Sequence, residues 1–210
     1  MKKIFFLIGL FLLPLLMQAQ TIKDVDFIAP ILDGYAAVKK GNQWAFMNAQ
    51  GNIVIDFRDD LVANEKGIAG IDLGVSSQSY PLMLENRSII KTMKDGIAYY
   101  GFINSIGKIA IPPIYLNVTN FKNGYALALH LNEIVLGSNA PLGKRVVTYE
   151  YNVVLMDTNG NIIKYVTGPF PISLSKEKLK VAPPIFAKDI SENLIAVRTP
   201  NGKWEVIKIK

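Results

Sequence analysis

The chain has 210 residues, of which 50% are hydrophobic and 19% charged, with a formal net charge of +6, one histidine and no cysteine. The missing cysteines exclude a disulfide framework and the lipidated cysteine of a bacterial lipoprotein. The lysines and arginines are scattered and not interleaved with aromatic residues, so the platform that a single-stranded nucleic acid would need is missing.

Residues 1–19 read as a secretory signal peptide. Lys2-Lys3 is the positive start, Ile4–Met17 the apolar stretch, and Ala19 the small residue before the cut. The apolar run is interrupted by Pro14 and is short for a membrane span of about 20 residues. The expected mature chain, 20–210, is therefore a single domain without a membrane span, placed in the periplasm or outside the cell. Loss of Lys2 and Lys3 lowers its net charge from +6 to +4. A chain of this size buries roughly 70% of its unfolded surface, enough to fold without covalent staples.

The first structured stretch is Gly34–Asp56. Tyr35–Lys39 and Trp44–Asn48 are short apolar and aromatic runs separated by Gly41-Asn42, the pattern of a tight hairpin. Asn48-Ala49-Gln50-Gly51 then supplies a side-chain acceptor and a glycine for a second turn, and Ile53–Asp56 returns as a third strand. Apolar residues on both faces, Trp44 and Phe46 on one and Ala45 and Met47 on the other, call for a covering layer on each side.

This pattern recurs. Asn104-Ser105-Ile106-Gly107 and Asp157-Thr158-Asn159-Gly160 repeat the second turn, and Tyr100–Asn104 matches Trp44–Asn48 position for position. Pro112-Pro113-Ile114-Tyr115 and Pro183-Pro184-Ile185-Phe186 repeat the connector, a sign of duplication. The units span approximately 25–56, 80–112, 115–165 and 183–210. In the second, Tyr80–Glu85 is expected to form the first strand and Asn86–Asp95 an enlarged hairpin tip. In the fourth, Asn193–Val197 reads as the first strand and Trp204–Ile207 as the second, with no third strand before the end. Gly67–Ser79, His130–Tyr149 and Val166–Ala182 are insertions, the second with turn chemistry at Gly137–Pro141. Only Leu61–Gly67 and Lys176–Val181 have helix-compatible composition.

These units resemble the WG repeat family, in which a glycine-bearing strand leads to Trp-Gly-Phe-Ile-Asp, a turn with glycine, and Ile-x-Ile-Pro-Pro. The Trp-Gly pair stands here as Trp44-Ala45, Tyr100-Gly101, Val153-Val154 and Trp204-Glu205. The resemblance implies an all-β array of degenerate antiparallel meanders of bacterial type, and it supplies no catalytic residues. Such an array is either open and curved or a propeller-like ring in which Ile22–Phe27 completes the last unit. An outer-membrane barrel needs strands of about 9–11 residues, twice the length of these.

No catalytic, cofactor or metal residue is assigned. His130 is the only histidine, and a strand position without chemistry accounts for it. Ser138 to Gly143-Lys144 has phosphate-loop spacing but lacks the first glycine, and Arg145 stands in place of Ser/Thr. Gly67, Gly70 and Gly74 do not form a dinucleotide fingerprint. Among the carboxylates Asp56, Asp59, Asp60 and Glu65 nothing selects a pair, and Asp157 is a turn residue. Trp44, Tyr100 and Trp204, at matching repeat positions, are expected to be core. The function expected is non-catalytic binding or scaffolding toward a protein or another cell-envelope component, through inserted loops. The alternative is an envelope glycan hydrolase using a carboxylate pair.

Overall fold

The computed structural model describes residues 22–63, 79–139 and 143–209, all of them in strands, turns and irregular connections. Residues 1–19, most of Gly67–Ser79, the part of Leu61–Gly67 from position 64 on, which includes Glu65, and Ala140-Pro141 lie outside the described residues. No helix occurs among the described residues. Lys176–Val181 forms only turns, in which the Leu179 N–H donates to the Ser175 carbonyl at 2.9 Å.

Four antiparallel sheets follow one another along the chain. The first contains β1 (Phe27–Ile28), β2 (Tyr35–Lys40), β3 (Gln43–Asn48) and β4 (Ile53–Arg58). The second contains β5 (Arg87–Lys94), β6 (Ile97–Asn104) and β7 (Ile109–Tyr115). The third is built from the longer β8 (Tyr125–Asn139), β9 (Lys144–Asp157) and β10 (Ile162–Ile172). The fourth has β11 (Ala187–Ser191), β12 (Leu194–Arg198) and β13 (Trp204–Lys208). The chain is an all-β array of meander repeats.

Local chemistry explains the turns. Asn48 Oδ1 accepts the N–H groups of Gln50 at 3.1 Å and Asn52 at 2.9 Å. Asn104 does the same for Ile106 and Lys108, and Asp157 for Asn159 and Asn161. Side-chain and backbone donation by Asn161, with that of Asn159 and Gly160, holds the Asp157 carboxyl below its ordinary range. Gly51, Gly107 and Gly160 occupy the left-handed position, with φ of 80°, 77° and 86°, the conformation a bulged hairpin turn gives to glycine.

Two units differ from expectation. In the second, Glu85 and Asn86 both have positive φ, 50° and 59°, and Leu84 and Arg87 bond reciprocally across them at 3.0 and 2.9 Å. That tight turn bars Tyr80–Glu85 from being the first strand; Arg87–Lys94 takes the role, closed by Asp95-Gly96. The fourth unit is shifted by one strand. Thr199 and Lys203 bond as Asn48 and Asn52 do, and Gly202 N–H reaches the Thr199 carbonyl at 2.9 Å as Gly51 reaches Asn48. Gly202 therefore corresponds to Gly51, Leu194–Arg198 is the middle strand, and Trp204–Lys208 is a third strand of the unit's own. A strand borrowed from Ile22–Phe27 has no place there, and Phe27 and Ile28 pair instead with Lys39 and Val38.

The sheets stack through alternate faces. Trp44, Phe46, Ala37 and Ile55 of the first sheet meet Ile90 and Ile103 of the second. Tyr100, Phe102 and Ile111 of the second meet Ala126, Ala128, Val154 and Met156 of the third. Leu127, Leu129, Val153 and Leu155 of the third meet Ile195 and Val197 of the fourth. Among the described residues no apolar cluster joins the first sheet to the fourth. The second turns of the second and third units also lie against the last strand of the unit before, Gly107 beside Ile55 and Gly160 beside Ile111. Arg58 donates to the Gly107 carbonyl at 2.9 Å and Arg87 to that of Thr158 at 2.9 Å.

This stacking separates the turn glycines. A Cβ on Gly160 would stand 3.2 Å from the Ile111 side chain, whereas one on Gly51 would meet nothing within 4 Å. Both substitutions to alanine carry the left-handed penalty of about 1–2 kcal/mol, and Gly160→Ala adds crowding. Urea midpoints are expected to fall further for Gly160→Ala than for Gly51→Ala. Equal midpoints would show that the turn does not bear on the neighbouring sheet.

Candidate functional site

The turns that open the first three units share one design. Asp33-Gly34, Glu85-Asn86 and Asn123-Gly124 each place two successive residues at positive φ, and the flanking residues bond across them. This is the two-residue type I′ turn, which asparagine, aspartate and glycine favour. Each turn leaves a polar side chain just ahead of β2, β5 or β8.

Those starts converge. A cavity of about 280 Å³ is lined by Asp33, Glu85, Lys122, Asn123, Tyr125 and Asp189, with Thr119, Asn120 and Phe121 beneath. All four units contribute, so the array curves far enough to bring its first and last units to one pocket. Lys122 Nζ stands 2.6 Å from Asp189 Oδ2, and the Tyr125 hydroxyl donates to Asp189 Oδ1 at 3.5 Å. Burial chiefly, with Asp189 adding, raises the Tyr125 phenol above its usual value and keeps it a donor. Glu85 accepts the Gly124 N–H at 2.9 and 3.2 Å. Three carboxylates and one ammonium give the cavity an acidic balance, and two of those carboxylates already accept bonds from protein donors.

The second feature is the β8–β9 hairpin, paired without interruption of its ladder from Tyr125↔Asp157 to Asn139↔Lys144 apart from a bulge at Leu136. β10 follows β9 only as far as Ile172↔Tyr149. Beyond Glu133 and Tyr149 the hairpin is two-stranded, and a two-stranded ribbon has no third strand to shelter its apolar residues. Ile134, Val135, Leu136 and Val146 are 38%, 52%, 66% and 47% exposed. Tyr149 donates to Glu133 at 3.1 Å and Arg145 lies 3.5 Å from it, which braces the base of the projection.

The residues weighed from sequence are dispersed. His130 sits in β8 opposite Asn152, its ring centroid 6.1 Å from that of Tyr115 and 6.5 Å from that of Tyr165. Asp60 is held by Arg58 at 2.5 and 2.7 Å, away from the central cavity. Trp44 and Tyr100 are buried, 8% and 7% exposed, but Trp204 is 50% exposed. The strand shift in the fourth unit is the reason: the residues equivalent to Trp44-Ala45 are Ile195-Ala196, and Trp204 stands on the outer face of β13. The central cavity was missed because Asp33, Glu85, Asn123 and Asp189 look like ordinary turn and strand-end residues. The turn dipeptides Asp33-Gly34, Glu85-Asn86 and Asn123-Gly124 ahead of the first strand in three of the units were its one sequence signal.

No curated protein matches the chain. Among solved structures, the computationally designed Ika4 protein is similar at 11% identity over 89% of this chain and 91% of that one, with a TM-score of 0.40. Residues 24–44 and 100–130 match the family model described as WG containing repeat. The first segment runs into the start of β3; the second runs from β6 through the entry turn of the third unit to His130. Two segments of the chain thus match the WG containing repeat.

Proposed function

We propose that this is an exported, non-catalytic binding or scaffolding protein of the cell envelope, which uses the β8–β9 hairpin to engage another protein. The observation that carries this reading is the exposed apolar tip at Ile134–Leu136 and Val146 on a hairpin rooted in the core. Export rests on residues 1–19. Loop closure grows only slowly with loop length, so an insertion of this size persists at little cost in stability.

The test is a shortened hairpin. Leu131 packs against the core, so the cut must lie beyond it, and residues 134–148 are replaced by Asn-Gly. Stability is expected to stay within about 1–2 kcal/mol of the parent, while capture of an envelope protein by the immobilised domain is lost. Capture at the parental level by the folded, shortened protein would overturn the proposal. The convergence of Asp33, Glu85 and Asp189 favours the second reading, a glycan hydrolase, and is tested separately. Release of soluble fragments from peptidoglycan by the parent but not by Glu85→Gln would replace the binding role.

A further inference from the structure

We infer that a second site, on the first unit, binds an alkylammonium group. In the first sheet Phe27 lies opposite Lys39, Lys39 opposite Trp44, and Trp44 opposite Arg58, which places the four in one cross-strand row. Tyr80 joins them from the connection to the second unit. Phe27 and Trp44 meet edge to face with centroids 6.0 Å apart, and Phe27 and Tyr80 are 5.9 Å apart. Around these rings is a cavity of about 380 Å³ lined by Asp26, Phe27, Lys39, Trp44, Ser79 and Tyr80. It is separate from the central cavity and from the hairpin.

Two observations select the ligand class. Lys39 Nζ stands 5.5 Å from the centroid of the Trp44 ring, so this aromatic face already accepts an ammonium ion from the protein itself. The attraction comes from the negative face of the ring and is largest for tryptophan. Asp26 supplies the complementary charge at the rim, and its carboxylate is oriented by the Gly41 N–H, which donates to Oδ2 at 2.6 Å. A neutral apolar ligand would gain nothing from that carboxylate. An anion would meet it unfavourably. An alkylammonium takes the position that Lys39 occupies on Trp44, with Phe27 and Tyr80 as walls, and the Lys39 side chain moves aside.

Choline is the probe, titrated against the folded protein and followed by tryptophan emission in a Trp204→Phe background, which leaves Trp44 as the sole tryptophan of the two in the chain. Saturable quenching is expected for choline, with 3,3-dimethylbutanol, its neutral isostere, binding about tenfold more weakly. Tyr80→Ala and Asp26→Asn should each weaken choline binding several-fold. Lys39→Ala should strengthen it, because the internal competitor is removed; a purely structural lysine would give no such gain. Circular dichroism of each variant confirms that it is folded. Equal affinity for the isostere, weaker binding by Lys39→Ala, or no saturable response to choline would each overturn the inference.

Discussion

Gly101→Val is expected to lower stability by about 3 kcal/mol or more, the upper end of what overpacking costs. That is a large part of the roughly 5–15 kcal/mol available to a domain. The cause is backbone, not conformation. A Cβ at residue 101 would lie 2.4 Å from the Ile111 carbonyl oxygen and 2.6 Å from Pro112 C and Pro113 N. Between the pairs Tyr100↔Tyr115 and Phe102↔Ile111 the single residue Gly101 faces three, Pro112, Pro113 and Ile114. This three-against-one bulge folds the proline pair over the strand, and only a residue without a side chain fits beneath. In the first unit Ala45 faces two residues, Asp56 and Phe57, between Trp44↔Arg58 and Phe46↔Ile55. The bulge there is one residue smaller and an alanine side chain fits. Ala45→Gly should therefore cost only about 0.5–1 kcal/mol, from strand entropy. Urea denaturation with unchanged m-value measures both, and a Gly101→Val midpoint equal to the parent's would refute the account. Glycine stands at this repeat position in the unit where the Pro-Pro connector crosses the strand.

Trp44→Ala and Trp204→Ala should differ by several kcal/mol. Trp44 is 8% exposed and packs with Phe46, Ile55 and Ile90. Its truncation is expected to cost about 3–5 kcal/mol through lost burial and the cavity left behind. Trp204 is 50% exposed on the last strand of the last sheet, and its truncation should stay within about 1 kcal/mol. Thermal melts of the two variants decide the matter. Equal, large losses would restore Trp204 to a core position and with it the register in which Trp204-Glu205 is the fourth Trp-Gly pair.

What could be read from sequence was chemistry that acts over four or five residues. An asparagine or aspartate three positions before a glycine favours a turn through its own side-chain acceptor, so Asn48–Gly51, Asn104–Gly107 and Asp157–Gly160 were all legible, and with them the strands on either side. The resemblance of Tyr100–Asn104 to Trp44–Asn48 carried the repeat, and the repeat carried the all-β class. Thr199-Pro200-Asn201-Gly202 was harder, because Asn-Gly suits either hairpin turn. Only the pairing of Ala187–Ser191 with Leu194–Arg198 shows that it is the second.

The sequence by itself determined the repeat, the turn glycines and the existence of a long insertion in the third unit. Each depends on residues that are neighbours along the chain. Tertiary structure alone decided three further matters: the shifted register of the fourth unit, the exposure of Trp204, and the meeting of Asp33, Glu85, Lys122 and Asp189 around one cavity. A slip of one strand keeps every local turn preference intact while changing which strand of a unit each residue belongs to, so short-range chemistry cannot choose between the registers. The cavity depends on how far successive sheets rotate as they stack, and that rotation is set by the side chains filling the three interfaces together.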